Sequence, residues 1–130
     1  MVPGALYVAY RHGDAHVCDQ GRLVVLRSRD GGVRFDIATV ARGEADTRDA
    51  HLYSVEDHRL HVVGFVYGPH GGASGTAWTE NGLNWSPWTP FTGTGNWILW
   101  RPEYFKSTSR CSCARNRPIR SGNKSSWTSR

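Results

Sequence analysis

The chain has 130 residues, a hydrophobic content of 38% and a formal net charge of +5. No apolar run approaches the roughly 20 residues that a membrane-spanning helix needs, and the amino terminus lacks the basic region and apolar core of a signal peptide. Three cysteines make no even disulfide framework, so they do not indicate a redox compartment, and localisation stays unknown.

The net positive charge comes from the end of the chain. Residues 1–105 contain nine Arg and no Lys against eleven acidic residues, a net charge of −2. Residues 106–130 contain seven basic residues and no acidic one. The first segment therefore gives no electrostatic reason to expect a nucleic acid partner.

Short β-favouring runs, separated by turn residues, follow one another through the first hundred residues. A charged loop is predicted at 41–49 and a flexible Gly-rich loop at 68–75. No segment has a sustained 3.6-residue apolar period, so we expect very little helix and an all-β meander. Strands are predicted at 5–10, 21–26, 35–40, 51–55, 59–66, 75–79, 85–91 and 96–100.

The last segment, residues 106–130, has a different composition. It contains seven Ser and almost no aliphatic residues, so it cannot bury enough apolar area to offset its ordering entropy. We expect a disordered or non-homologous tail; the alternative is a basic arm that contacts phosphates. Cys111 and Cys113 form a CxC pair without a second pair, and no metal site is predicted there.

One hairpin carries the most specific signal of the chain. In residues 28–35, Asp30 can accept hydrogen bonds from the following backbone N–H groups, and Gly31 and Gly32 can take positive φ. Phe35 can pack its ring under the loop. A second, poorer copy at residues 79–85 has Asn81 in place of the Asp and one residue fewer.

These two segments resemble the Asp-box, or BNR repeat, of the sialidase (neuraminidase) superfamily. Their aromatic residues, at positions 35 and 85, are separated by the length of one four-stranded propeller blade. In that family the box is a structural feature of hairpin turns, away from the active site. The positions with this structural role are Ser28, Asp30, Gly32 and Phe35 in the first box and Thr79, Asn81, Gly82 and Trp85 in the second.

The resemblance covers roughly residues 5–105 and implies about two blades of a six-bladed β-propeller, with 106–130 as a separate tail. It also implies a site in which arginines bind the carboxylate of a sialic acid. The candidates are Arg11, Arg48 and Arg101. Asp49 is the candidate acid/base, with Asp46 in reserve. No cofactor or metal is implied.

Plainer interpretations of these residues stay open. Arg48 and Asp49 could form a surface ion pair, Arg11 and Arg101 could be solvated strand ends, and His16 could line the pocket or cap a turn. Ala50 replaces the proline of the family pattern, and His12 stands where relatives have an acidic residue.

The tyrosine nucleophile of such enzymes, with its glutamate partner, lies in later blades. We therefore expect a fragment of a sialidase-like glycoside hydrolase that has a glycan as its partner and no turnover alone. The alternatives are a non-catalytic glycan- or protein-binding propeller module and a small β-sandwich without a glycan role. Unpaired strand edges should favour aggregation.

Overall fold

The computed structural model describes residues 4–54, 58–69, 71–93, 98–100 and 114–115. Within these residues the protein is all-β without a helix, as predicted. The strands are β1 (Leu6–His12), β2 (Arg22–Ser28), β3 (Asp36–Ala41), β4 (Asp46–Ser54), β5 (Leu60–Gly68), β6 (Gly71–Thr79), β7 (Thr89–Pro90), β8 (Leu99–Trp100) and β9 (Ala114–Arg115).

The strands form two main antiparallel sheets, and neither closes on itself. The first sheet has the order β1-β2-β3 and the second has the order β4-β5-β6-β7, so each is a simple meander. A third pair, β8 with β9, is also antiparallel. None of the described residues lies in a helix that could cross a membrane.

The two main sheets pack face to face around a small apolar core. Leu23, Val25 and Ala41 of the first sheet meet Val62 and Ala77 of the second, and all five are at most 4% exposed. Burial of this apolar surface is the main source of stability for the pair of sheets. Partly buried side chains surround it: Tyr7, Ala9, Ala38, Ala50, Leu52, Trp85 and Trp88.

Burial along a strand follows the number of its neighbours. β5 lies between β4 and β6, and its first six residues are all buried. β1 is an edge strand, and every second residue along it is exposed. Leu6, Val8 and Tyr10 therefore present an open apolar face on the outer side of the first sheet.

The two predicted hairpins occupy corresponding places in the two sheets. Residues 28–35 connect β2 to β3, and residues 79–85 follow β6 before β7, so each box lies between the last two strands of its sheet. The strand register also corresponds, because Ser28 lies opposite Leu6 and Thr79 lies opposite Leu60. Strands β1–β3 thus match β5–β7, and the described part of the first sheet has no counterpart of β4.

Two predicted loops are wrong in part. The charged loop at 41–49 ends at Asp46, where β4 begins, because ion pairs satisfy the charges that the strand buries. The Gly-rich loop at 68–75 is mostly β6, which pairs with β5 along its whole length. Glycine suits this strand at Gly75, where a side chain would meet the ring of Trp88 at 2.7 Å.

The described end of the chain contains one short antiparallel pair, β8 with β9. β8 covers the end of the strand predicted at 96–100, whereas residues 96 and 97 lie outside the described residues. Within the predicted tail, Ala114–Arg115 pair with β8. The remainder of 106–130 lies outside the described residues.

Candidate functional site

The end of β1 and the start of β4 bring two arginines to one carboxylate. Arg11 donates from Nε and Nη2 to Asp46 Oδ1, at 3.1 and 2.8 Å. Arg48 Nη2 lies 3.0 Å from the other oxygen, Oδ2. The Asp46 side chain is 1% exposed, and those of Arg11 and Arg48 are 21% and 14% exposed. We call these three residues the arginine cluster.

The loop between β1 and β2 covers the arginine cluster with backbone groups. The carbonyl of Ala15 accepts from Arg11 Nη1 at 3.0 Å, the carbonyl of His16 accepts from Arg48 Nη2, and Cys18 N donates to Asp46 Oδ2 at 3.2 Å. The loop ends at Gly21, where any Cβ would collide with the Asp46 carboxylate. This close approach requires glycine at position 21.

One N–H donor of Arg48 makes no hydrogen bond. Its Nε is buried and has no hydrogen-bond partner, and its Cζ lies 5.3 Å from the ring centroid of Tyr67, within cation–π range. Tyr67 is 40% exposed. An unpaired buried donor is costly, and the contact with the Tyr67 ring offsets part of that cost.

The charges of the arginine cluster do not balance. Two guanidinium groups face one carboxylate, so the three residues carry a formal charge of +1. A second carboxylate bound beside them would neutralise this excess and could accept planar, charge-assisted hydrogen bonds. The arrangement is therefore suited to recognition of a small carboxylate.

The structure places Asp49, the candidate acid/base, in a different setting from the cluster. It lies within a bulge between Arg48 and His51, has a φ of 57° and is exposed. Its carboxylate makes no hydrogen bond or ion pair with any described residue. Asp46, the reserve candidate, is the acid that the fold brings to Arg11 and Arg48, and the acid/base role of Asp49 stays a prediction.

Of the other two predicted binding residues, the structure describes His16. His16 is exposed and reaches the arginine cluster through its backbone carbonyl, while its imidazole has no contact there. Arg101 lies outside the described residues.

The first Asp-box forms the local network that its sequence predicts. The Ser28 hydroxyl donates to Asp30 Oδ1 at 2.8 Å and accepts from Gly32 N at 2.8 Å. Asp30 Oδ1 also accepts from Val33 N and Arg34 N, at 3.1 and 2.9 Å. These bonds, led by that from Arg34, hold the pKa of Asp30 below its ordinary value of 3.8.

The second box repeats this network one residue shorter. The Thr79 hydroxyl donates to Asn81 Oδ1 at 3.3 Å and accepts from Gly82 N at 2.9 Å. Asn81 Oδ1 accepts from Leu83 N and Asn84 N, both at 2.9 Å. An amide oxygen thus takes the position of the carboxylate oxygen in the first box.

Glycine and aromatic positions complete the two loops. Gly31 and Gly32 have φ values of 74° and 97°, as the turn requires. Phe35 is 39% exposed, and its ring lies 3.9 Å from the position of a Cβ on Gly32. Trp85 instead packs against the core between the sheets.

The sequence analysis missed two residues that contact the arginine cluster. It gave no role to Tyr67, which is exposed on a strand that otherwise reads as apolar, or to the backbone of Cys18. An exposed aromatic residue that flanks an apolar run is a signal that could have pointed to Tyr67; no local signal points to Cys18, because its contribution is a backbone N–H group.

Comparisons with known proteins do not identify the chain. No protein-family model matches it, and no curated protein matches it. Among the described residues, no group of three His, Cys, Asp or Glu side chains is arranged to hold a metal ion.

Proposed function

We propose that the chain is part of a sialidase-like glycoside hydrolase, in which Arg11 and Arg48 bind the carboxylate of a terminal acidic sugar. The observation that carries the proposal is the pair of guanidinium groups held on Asp46, with a net positive charge. Asp46 fixes the direction of both guanidinium groups and so reduces the entropy that ligand binding would cost. Turnover requires a nucleophile that the proposal does not assign to this chain.

The two Asp-boxes support the fold in this proposal. Each box has the same network around a side-chain hydroxyl and a neighbouring carboxylate or amide oxygen, and each stands between the last two strands of its sheet. Repeated sheets with equivalent turns are expected for neighbouring propeller blades. The second sheet would be one four-stranded blade, and the first would be three strands of another.

A titration of the ¹⁵N-labelled chain with a methyl sialoside tests the proposed binding. Wild type should give saturable shifts of the amide signals of Cys18, Gly21 and Thr47, which surround the arginine cluster. Arg48→Gln should abolish them, and Arg34→Gln, an exposed arginine of the first box, should not. Equal shifts in both variants, or none in wild type, would refute the proposal.

The second candidate function is a non-catalytic glycan-binding module. It is favoured by the position of Asp49, which is exposed, while the acid that pairs with both arginines is Asp46. Release of a fluorophore from a fluorogenic sialoside separates the two candidates. Turnover that is lost in Asp49→Asn would support the hydrolase, whereas binding without turnover by a protein that carries every blade would support the module.

A further inference from the structure

One edge of the first sheet lacks a neighbouring strand among the described residues. β1 pairs with β2 in unbroken register along its whole length, and no described strand pairs with it on the other side. The equivalent strand of the second sheet, β5, has β4 in that place. The outward backbone N–H and C=O groups of β1 can therefore pair with another strand.

The other three edge strands of the two main sheets have features that oppose such pairing. β3 has a bulge at Ala38, which has no partner between Ile37 and Thr39. β4 has a bulge between Arg48 and His51, and β7 is two residues long and ends in a proline. Bulges, very short strands and proline are means by which proteins block pairing at a sheet edge.

β1 has none of these features over residues 6–10. The segment reads Leu-Tyr-Val-Ala-Tyr, without a charge, a glycine, a proline or a bulge. Leu6, Val8 and Tyr10 are 49%, 46% and 42% exposed, and they share one face of the strand because side chains alternate. The edge thus offers both backbone groups and a row of apolar side chains to a second strand.

We propose that β1 pairs with β1 of a second copy of the chain, antiparallel and about a twofold axis at Val8. In this register Val8 lies opposite Val8 of the second copy and Leu6 lies opposite Tyr10, so each exposed apolar side chain meets an apolar one. Arg11 lies opposite Ala5, which keeps the two copies of Arg11 at opposite ends of the paired segment. Because the edge is complementary to itself in this register, a second copy is the partner that it fits.

The pairing would join two three-stranded sheets into one continuous sheet. It uses no side chain of the arginine cluster and does not depend on the proposed function.

Disulfide formation at single introduced cysteines tests this register. In a background whose three native cysteines are replaced by Ser, Val8→Cys should form a covalent dimer, since directly opposite Cα atoms of antiparallel strands are about 4.5–5.5 Å apart. Leu6→Cys and Tyr10→Cys are matched controls on the same face of β1. Each alone should stay monomeric, because its two copies lie about 14 Å apart along the strands. A mixture of the two should form the mixed dimer.

Amide hydrogen exchange of the unmodified chain provides a second measurement. As the protein concentration rises, exchange of the β1 amides that point away from β2 should slow, and exchange of the β4 amides should not change. Val8→Lys places two like charges opposite each other and should remove this concentration dependence. Exchange of β1 that is independent of concentration, or equal disulfide yields for Val8→Cys, Leu6→Cys and Tyr10→Cys alone, would overturn the proposal.

Discussion

Asp46 and Arg11, which are 35 positions apart in the sequence, form an ion pair with 2.8 Å between Oδ1 and Nη2. This contact connects the end of β1, an edge strand of the first sheet, to the first residue of the second sheet. Arg48 holds the other carboxylate oxygen. One buried acid therefore sets the position of both arginines that the proposed function requires.

Loss of the Asp46 charge should destabilise the protein strongly. Asp46→Asn leaves two largely buried guanidinium groups without their counter-charge, and we expect the free energy of unfolding to fall by about 3 kcal/mol. Asp49→Asn is the matched control, because Asp49 is exposed and asparagine tolerates its positive φ. The control should change stability by at most about 0.5 kcal/mol. Urea denaturation measures both, and equal losses would contradict the role of Asp46.

The first Asp-box should contribute a pH-dependent part of stability. Its hydrogen bonds, chiefly that from Arg34 N, lower the pKa of Asp30 from 3.8 in the folded protein. A lowered carboxyl pKa contributes stability that is present above pH 3.8 and is lost as the pH falls through the folded-state pKa. Asp30→Asn should therefore flatten the fall in the free energy of unfolding below that pH. An unchanged slope of stability against pH would contradict this assignment.

The second box should be improved by the acid that its sequence lacks. Asn81→Asp places a charged acceptor opposite the N–H groups of Leu83 and Asn84, which now donate to an amide oxygen. Charge-assisted bonds are stronger, and we expect a gain of about 0.5 kcal/mol at neutral pH. Asn84→Asp, on the same exposed loop, serves as control and should give no gain. Chemical denaturation at pH 7 distinguishes the two variants.

The outer face of the first sheet should make the chain associate. Ile37 is 67% exposed and points to the same side of the sheet as Val8, because both stand opposite Leu26 in the strand register. Monomeric proteins rarely expose large contiguous apolar patches. Ile37→Lys should raise the monomeric fraction in sedimentation velocity experiments. Val33→Lys, in the exposed box loop, should leave that fraction unchanged. A wild-type chain that is already a sharp monomer would contradict this expectation.

The hairpins could be predicted from the sequence because their chemistry is local. Asp30 bonds only to groups within four residues of it, and Gly31 and Gly32 have the positive φ values that a tight turn requires. The second box followed from the first despite Asn81 and the missing residue. β5 was also predictable, because a short apolar run rich in β-branched residues is typical of a buried strand.

The site could be predicted less well because it depends on contacts between distant segments. The start of β4 reads as a charged loop, and only the ion pair with Arg11 makes burial of Asp46 in a strand favourable. Whether Asp46 or Asp49 faces the arginines depends on the strand register. The bulge between Arg48 and His51 changes the direction of the side chains that follow it. No local pattern indicates such a bulge.

The proposed function depends on recognition of a negative charge on the sugar by the arginine cluster. The most direct measurement compares the affinity of wild type for a methyl sialoside with its affinity for the methyl ester of the same sugar, by calorimetry at low salt. The acid should bind at least about 10-fold more tightly, a difference of roughly 1.4 kcal/mol, and Arg48→Gln should remove that preference. Equal affinity for acid and ester, or a preference that survives Arg48→Gln, would contradict the claim.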